Sequence, residues 1–316
     1  MSTARGNVTE VLHFNILGFP DTLEKRIVLF TLLLGIYVIT LSGNLLIIII
    51  TKLDSSLQNP MYILLGNLSL IDICYISVTV PHMLMTLASN DTSISFVGCM
   101  AQLFFVIFLE GAECILLAIM AYDRYAAICK PLYYAIIMDR GVCYKLVLLA
   151  VLWGALHSLL HTLLIVRLPF CDNGINHLFC DIPPLLKLSC IDTYLNETVL
   201  FAVSGVFVGL GPLLFILISY VQVVSAIFEM TSDVARRKVF STCAAHLIIV
   251  TTFYGTGSFN YVRPKSSYSL ERDKLASVVY NVITPMLNPI IYSLRNSEVK
   301  RSLRDVLRRY QFSRKR

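Results

Sequence analysis

The fold class this sequence predicts is an all-α membrane protein: a seven-transmembrane helix bundle followed by a short amphipathic C-terminal helix. Three observations predict it. First, the 316 residues are 56% hydrophobic and 15% charged, with a mean hydropathy of +0.72, whereas a soluble domain carries about 25% charged residues. Second, seven apolar runs come close to the roughly 20 residues that cross about 30 Å of hydrocarbon. They lie at about 27–51, 61–87, 99–122, 145–166, 199–228, 239–261 and 275–294. Third, an odd number of crossings separates the termini, and seventeen of the 26 Lys and Arg fall on one side. The positive-inside rule then expects an extracellular N-terminus and a cytoplasmic C-terminus, although Lys25 and Arg26 count the other way. The expected organisation is a tail at 1–26, a helical domain at 27–294, and a cytoplasmic amphipathic helix and tail at 295–316.

The tail is short and polar and carries the sequon Asn7-Val8-Thr9, a glycan acceptor if it lies outside. Asn90-Asp91-Thr92 and Asn196-Glu197-Thr198 are weaker candidates, and Asn67-Leu68-Ser69 is out of reach inside the second run. With no basic region followed by an apolar core and a small-residue cleavage site, the first span is expected to target the chain itself. That span carries Gly43-Asn44, a close-packing residue beside a polar one that needs an interhelical hydrogen bond.

The second span begins at Pro60, which suits a first helical turn. Asp72 follows 12 residues on, roughly 18 Å deep. The third span runs from Cys99 through Glu110 and Glu113 to Asp123-Arg124-Tyr125. Glu113 is 11 residues from Arg124, roughly 16 Å, so it lies at the depth of Asp72. Two carboxyls there read either as a sodium or proton site or as a protonated pair that fixes packing. Arg124 cannot lose its charge, so at the helix end it needs water, a lipid phosphate or the adjacent Asp123.

His157 and His161 share a face of the fourth span at i, i+4 spacing, which reads as hydrogen-bonded packing without a third ligand. The following outer loop, about 167–198, holds Cys171, Cys180 and Cys190. With Cys99 these make four cysteines on the oxidising side, for which three pairings are open. His177-Leu-Phe-Cys180-Asp181 could read as a metal site, but a disulfide at Cys180 would remove its strongest ligand. The other five cysteines are expected to be free.

Gly209-Leu-Gly211-Pro212 is expected to bend the fifth span. The sixth has a polar, basic foot from Arg236 to His246 below an apolar shaft, as suits a swinging element. The seventh holds Pro285 and Pro289, each removing a backbone hydrogen bond, and Asn288 and Tyr292 are expected to refill those gaps. Beyond Asn296, apolar Val299, Leu303, Val306, Leu307 and Tyr310 alternate with Lys300, Arg301, Arg304, Arg308 and Arg309, a pattern for the anionic inner leaflet.

There is no phosphate loop, no triad pattern and no zinc spacing outside the loop already discounted. An enzyme is therefore not expected, nor a metal or any other cofactor beyond sodium or a proton at Asp72 and Glu113. The concentrated basic charge reads as membrane topology rather than nucleic-acid binding.

Five motifs stand in order at the expected helices: Leu68-Ser-Leu-Ile-Asp72, Met120-Ala-Tyr-Asp-Arg-Tyr125, Ile218-Ser-Tyr220, Lys238-Val-Phe-Ser-Thr-Cys-Ala-Ala-His246 and Pro285-Met-Leu-Asn-Pro-Ile-Ile-Tyr-Ser-Leu-Arg-Asn296. Over nearly its whole length the chain resembles the odorant (olfactory) receptors, a branch of the rhodopsin-like G protein-coupled receptors. The resemblance implies the disulfides Cys99–Cys180 and Cys171–Cys190. It implies a small, mostly apolar pocket for a volatile ligand, lined by Val106, Ile107, Glu110, Gly111 and Cys114 of the third helix. Ser204, Gly205 and Val208 follow from the fifth, Tyr254, Gly257 and Tyr261 from the sixth, and Val278 and Asn281 from the seventh.

The resemblance further implies coupling through Asp123, Arg124, Tyr125, Tyr220, Asn288, Pro289 and Tyr292 to a stimulatory, olfactory-type heterotrimeric G protein and cyclic AMP. Glu110 departs from the family, where a small residue is common. It either contacts a basic or hydrogen-bond-donating odorant or is a neutral acid bonded to Asn281 or a tyrosine. The competing readings are a transporter or channel using the buried acids, and a G protein-coupled receptor for a non-odorant small amine.

Overall fold

The computed structural model describes residues 11–20, 22–54, 57–89, 91–261, 277–295 and 299–304. The helices α1 (Leu23–Leu53), α2 (Pro60–Ser89), α3 (Phe96–Cys129), α4 (Arg140–Val166), α5 (Tyr194–Glu229) and α6 (Asp233–Tyr261) make up most of it. A seventh, α7, is helical over 277–295. The first six are long and apolar enough to cross a membrane, and the chain is a multi-pass membrane protein.

Every one of α1 to α6 starts ahead of its apolar run, and most also extend beyond its end, because backbone hydrogen bonding does not stop where hydrocarbon does. Polar caps set several limits. The Ser95 side chain accepts from Gly98 N at 3.1 Å ahead of α3, and Asp139 accepts from Val142 N at 2.8 Å ahead of α4. α1 takes in Lys25 and Arg26, the residues that opposed the charge rule. Arg26 donates to the carbonyls of Thr86 (3.0 Å) and Leu87 (2.7 Å) at the end of α2. Its charge thus serves a helix terminus, so it is a poor signal of topology.

Two spans widen into π-helix just before a proline. In α5 residues Leu200–Leu210 are π-helical, Gly211 N donates to Val206 O, and α-helix resumes at Gly211-Pro212. In α7 the π turn is Val279–Ile283, with Thr284 N donating to Val279 O before Pro285. The wider turn absorbs the register lost where proline has no N–H to give. The expected bend at Gly209–Pro212 is thus a change of helix type. Refilling of the α7 gaps by Asn288 and Tyr292 is corrected as well. Asn44 of α1 donates to Pro285 O at 3.2 Å, Asn288 turns to Asp72, and the Tyr292 hydroxyl is buried without a partner.

Most of the buried apolar side chains form one bundle core. A second cluster caps its outer end around Phe14, Ile16, Phe170 and Ile175. There a small three-stranded sheet is added to the all-α fold, and the tail is not polar throughout. Strand β1 (His13–Ile16) pairs antiparallel with β2 (Ser93–Ser95) and parallel with β3 (Gly174–Ile175). Phe14 and Ile16 alternate inward and are fully buried, which gives the strand its register. Of the C-terminal amphipathic helix the structure describes 299–304, where Val299 and Ser302 are buried and Lys300, Arg301 and Arg304 exposed. Val306 to Tyr310 lie outside the described residues, as does Asn7.

Candidate functional site

At the inner end, α3 carries Asp123 and Arg124 into a closed arrangement. Both are buried, and Arg124 Nη1 stands 3.5 Å from Asp123 Oδ2. Asp123 Oδ1 also accepts from the Tyr134 hydroxyl at 2.8 Å, presented by a helical turn at Tyr134–Ile137. The Nε of Arg124 is buried without a partner, so the guanidinium is only partly satisfied.

Nearby, the Tyr220 hydroxyl of α5 meets His246 Nδ1 of α6 at 2.9 Å, with the two rings stacked. His246 Nε2 lies 3.2 Å from Leu117 O of α3. A carbonyl can only accept, so Nε2 holds the proton and Nδ1 accepts from Tyr220. One imidazole therefore ties α3, α5 and α6 together. Tyr125 is half-buried and lines a cleft of about 540 Å³ with Cys129, Gln222 and Glu229.

Halfway along the bundle, Asp72 is fully buried and accepts from Asn288 Nδ2 through both oxygens at 3.0 Å. Asn288 also reaches Glu113, so the two carboxyls and the amide form one group. Glu113 Oε1 and Asn288 Oδ1 are buried without partners. Orphaned acceptors at such a place fit a proton or a small cation. Pro289 of α7 packs against Gly43, where a Cβ would stand 3.0 Å from its ring.

In the outer half, Val106 and Cys114 of α3, Val208 of α5 and Tyr254 of α6 are buried in the bundle core, whereas Ile107 packs with the outer cap. The Tyr254 hydroxyl donates to Cys114 O at 3.4 Å. Glu110 has Tyr280 of α7 as its hydrogen-bond partner, and a Cβ on Gly257 would lie 3.5 Å from the same tyrosine ring. The structure thus brings Glu110 and Gly257 together at Tyr280, whose ring packs against Phe253 at 5.1 Å, while Val278 is half-buried on α7. Asn281 turns to α2, where the Tyr75 hydroxyl donates to it. Ser204 of α5 faces α4 and bonds to His157 and His161, whereas a Cβ on the adjacent Gly205 would meet only Phe201 of α5 itself. Gly111 packs on His157, and close passage of α3 and α4 depends on Gly154, where a Cβ would collide with Phe108 O. The side chain of Tyr261 lies outside the described residues.

The outer loop is fixed by two disulfides, Cys99–Cys180 and Cys171–Cys190. Gln102 adds to the first tie, accepting from Cys180 N at 2.9 Å and donating to Val78 O at 3.1 Å. His177 bonds Phe179 O (3.2 Å) and Ser277 Oγ (3.0 Å), so with Cys180 oxidised this motif is spent on packing. Asp181 accepts from Ile182 N at 2.8 Å and starts the helical turn Ile182–Leu186. Burial pushes its carboxyl up to about 6 against the pull of that N–H.

Tyr75, Tyr134, Tyr280 and Gln102 went unnoticed in the sequence. For Tyr280 the signal was adjacency to Asn281, and for Tyr134 its place after Lys130-Pro131, but a tyrosine in an apolar run reads as core.

Comparison with known proteins bears on the whole chain. A family described as "Olfactory receptor" matches residues 33–309. Olfactory receptor 5F1 of Homo sapiens is 49% identical over 310 residues, covering 98% of each chain. Olfactory receptor 10A3 of Homo sapiens is 48% identical over 307 residues, covering 96% of this chain and 97% of the relative. Olfactory receptor 5AP2 of Mus musculus is 49% identical over 305 residues, 96% of each. The fold is that of squid rhodopsin, with a TM-score of 0.70 at 17% identity over 93% of this chain and 90% of that one. The chain is therefore a receptor rather than an enzyme, and it belongs to the olfactory receptor family.

Proposed function

We propose that this receptor binds a small volatile molecule in the outer half of the bundle, between α3, α5, α6 and α7. It then activates a stimulatory, olfactory-type heterotrimeric G protein and raises cyclic AMP. The observation that carries this reading is the closed inner end, where Arg124 is held by Asp123 and α6 is tied to α3 and α5 through His246. A ligand that packs better when α6 swings outward shifts the population toward that state. Tyr254 connects the two ends, since it sits on α6 and donates to the α3 backbone at Cys114. Outward movement breaks the Tyr220–His246 bond and frees Arg124, opening a cytoplasmic cleft for the C-terminal helix of the Gα subunit. Tyr125, Asn288, Pro289 and Tyr292 line or support that path. In this reading the N-terminus is outside and the C-terminus inside, which the excess of basic residues at the inner ends supports.

Asp72 and Glu113 hold a proton or a sodium ion beside Asn288, on the strength of the orphaned oxygens there. Glu110 is expected to act as a neutral acid within the wall, since Tyr280 already engages it. Exchange of Glu110 for Gln then leaves the ranking of amine and neutral odorants unchanged; selective loss of amine responses would contradict this. For the coupling itself, Arg124→Ala is expected to abolish ligand-dependent cyclic AMP at normal surface delivery. Retained signalling rules the proposed role out.

A further inference from the structure

We propose that His157 and His161 of α4, with Ser204 of α5, form the polar end of the ligand chamber and select a small neutral molecule bearing a hydroxyl group. This rests on the receptor reading above and names the chemical class of its ligand.

The two imidazoles converge on one hydroxyl. His157 Nε2 lies 2.8 Å and His161 Nε2 2.9 Å from Ser204 Oγ, and the rings meet edge to face at 4.8 Å. Both histidines are buried, at 8% and 2% exposure, so neither turns its ring to lipid. Ser204 stays half-buried after both bonds. It lies one turn above Val208, which is in the bundle core, and away from lipid-exposed Phe207. Its oxygen is therefore on the bundle side of α5.

His157 also has an end to spare. Its Nδ1 is buried with no partner, and a Cβ on Gly111 would stand 3.2 Å from it. The ring thus spans from α3 to α5.

The hydrogen-bond accounting constrains the ligand. A buried N–H without a partner is rarer than a buried acceptor without one. His157 therefore carries its proton on Nε2 and donates it to Ser204, using one lone pair of the hydroxyl. The Ser204 proton and its second lone pair are shared between His161 and the chamber. If Ser204 donates to His161, a lone pair faces the ligand; if His161 donates, the Ser204 O–H faces it. An alcohol, both donor and acceptor, satisfies either arrangement, a carbonyl oxygen only the second, and a hydrocarbon neither. Leaving such a group unpaired reduces affinity about tenfold or more. A metal ion is a poorer occupant. Among the described residues no group of three or more His, Cys, Asp or Glu could hold one, and two neutral imidazoles leave a buried dication uncompensated.

The test is cyclic AMP dose–response in cells expressing the full chain. The probes are the primary alcohols from hexanol to decanol, the matching aldehydes and the matching alkanes. Wild type is expected to respond in the order alcohol, aldehyde, alkane. His157→Gln, whose amide reaches the Nε2 position, keeps that order. His157→Asn, whose amide reaches only the Nδ1 position, and Ser204→Ala lower alcohol potency about tenfold relative to alkane. An equal loss across all three series at matched surface expression would mean a merely structural role and overturn the proposal. So would a His157→Asn receptor with an unchanged order, even if Ser204→Ala fails to reach the surface, or a wild type silent to all three series. Basal cyclic AMP in wild type and Arg124→Ala judges the coupling separately.

Discussion

Tyr220 and His246 share a hydrogen bond across the inner ends of α5 and α6, with their rings stacked. His246→Phe keeps the ring and removes the acceptor, a loss of about 1 kcal/mol. Ligand-free cyclic AMP, normalised to surface receptor, is expected to rise roughly fivefold; an unchanged or lower basal level contradicts the clamp. Asp181 gives a pH effect of known sign. Burial raises its pKa from the ordinary aspartate value of 3.8 to about 6, so in that window the folded chain binds more protons than the unfolded one. Stability then falls as pH rises from about 3.8 to about 6 and levels off above. The thermal midpoint of purified receptor should be higher at the acid end of that window than above it, and Asp181→Asn should flatten the difference while retaining the cap. At this scale the sequence was legible where chemistry forces adjacency. Arg124 needed an acid and Asp123 was next to it, whereas the partners of Glu110 and Asn288 come from other helices and depend on rotations no spacing reveals.

Helix type matters as much as helix position in α5 and α7. A π segment of eleven residues ahead of Gly211-Pro212 gives Ser204 a different rotation from the one an unbroken α-helix would give it. Pro212→Ala restores a donor and lets the segment revert to α-helix, turning Ser204 away from His157 and His161. Alcohol potency is expected to drop at least tenfold with surface level unchanged, and equal potency would show that the proline does not hold the register. The sequence located this irregularity through its Gly and Pro residues but not its kind, because a bend and a widened turn share the same breakers. The seven runs themselves were plain, since about 20 apolar residues have few other uses. Their ends were not, as Arg26 shows by joining α1 to satisfy α2.

Over the whole molecule, a tightly packed bundle is roofed by loops that need covalent help. The Cys171–Cys190 bond joins positions 19 apart in sequence and encloses the β3 strand and the Ile182–Leu186 turn. Replacing both cysteines with Ser is expected to cost about 3 kcal/mol and to cut surface delivery severely while leaving total protein detectable. Normal delivery would show the roof to be self-sufficient. The cysteines were legible and their pairing open until family resemblance implied it, whereas the β1 strand was invisible among polar tail residues because its partners lie in two distant loops.

That strand also dictates a birth order. Residues 13–16 are made well before 174–175, yet they wait on those residues for their last neighbour. Four helices must already be threaded through the translocon before the amino terminus can settle. Until then one hydrogen-bonding edge of the early segment has no partner, so the cap over the outer end closes only once the loop after α4 has been made.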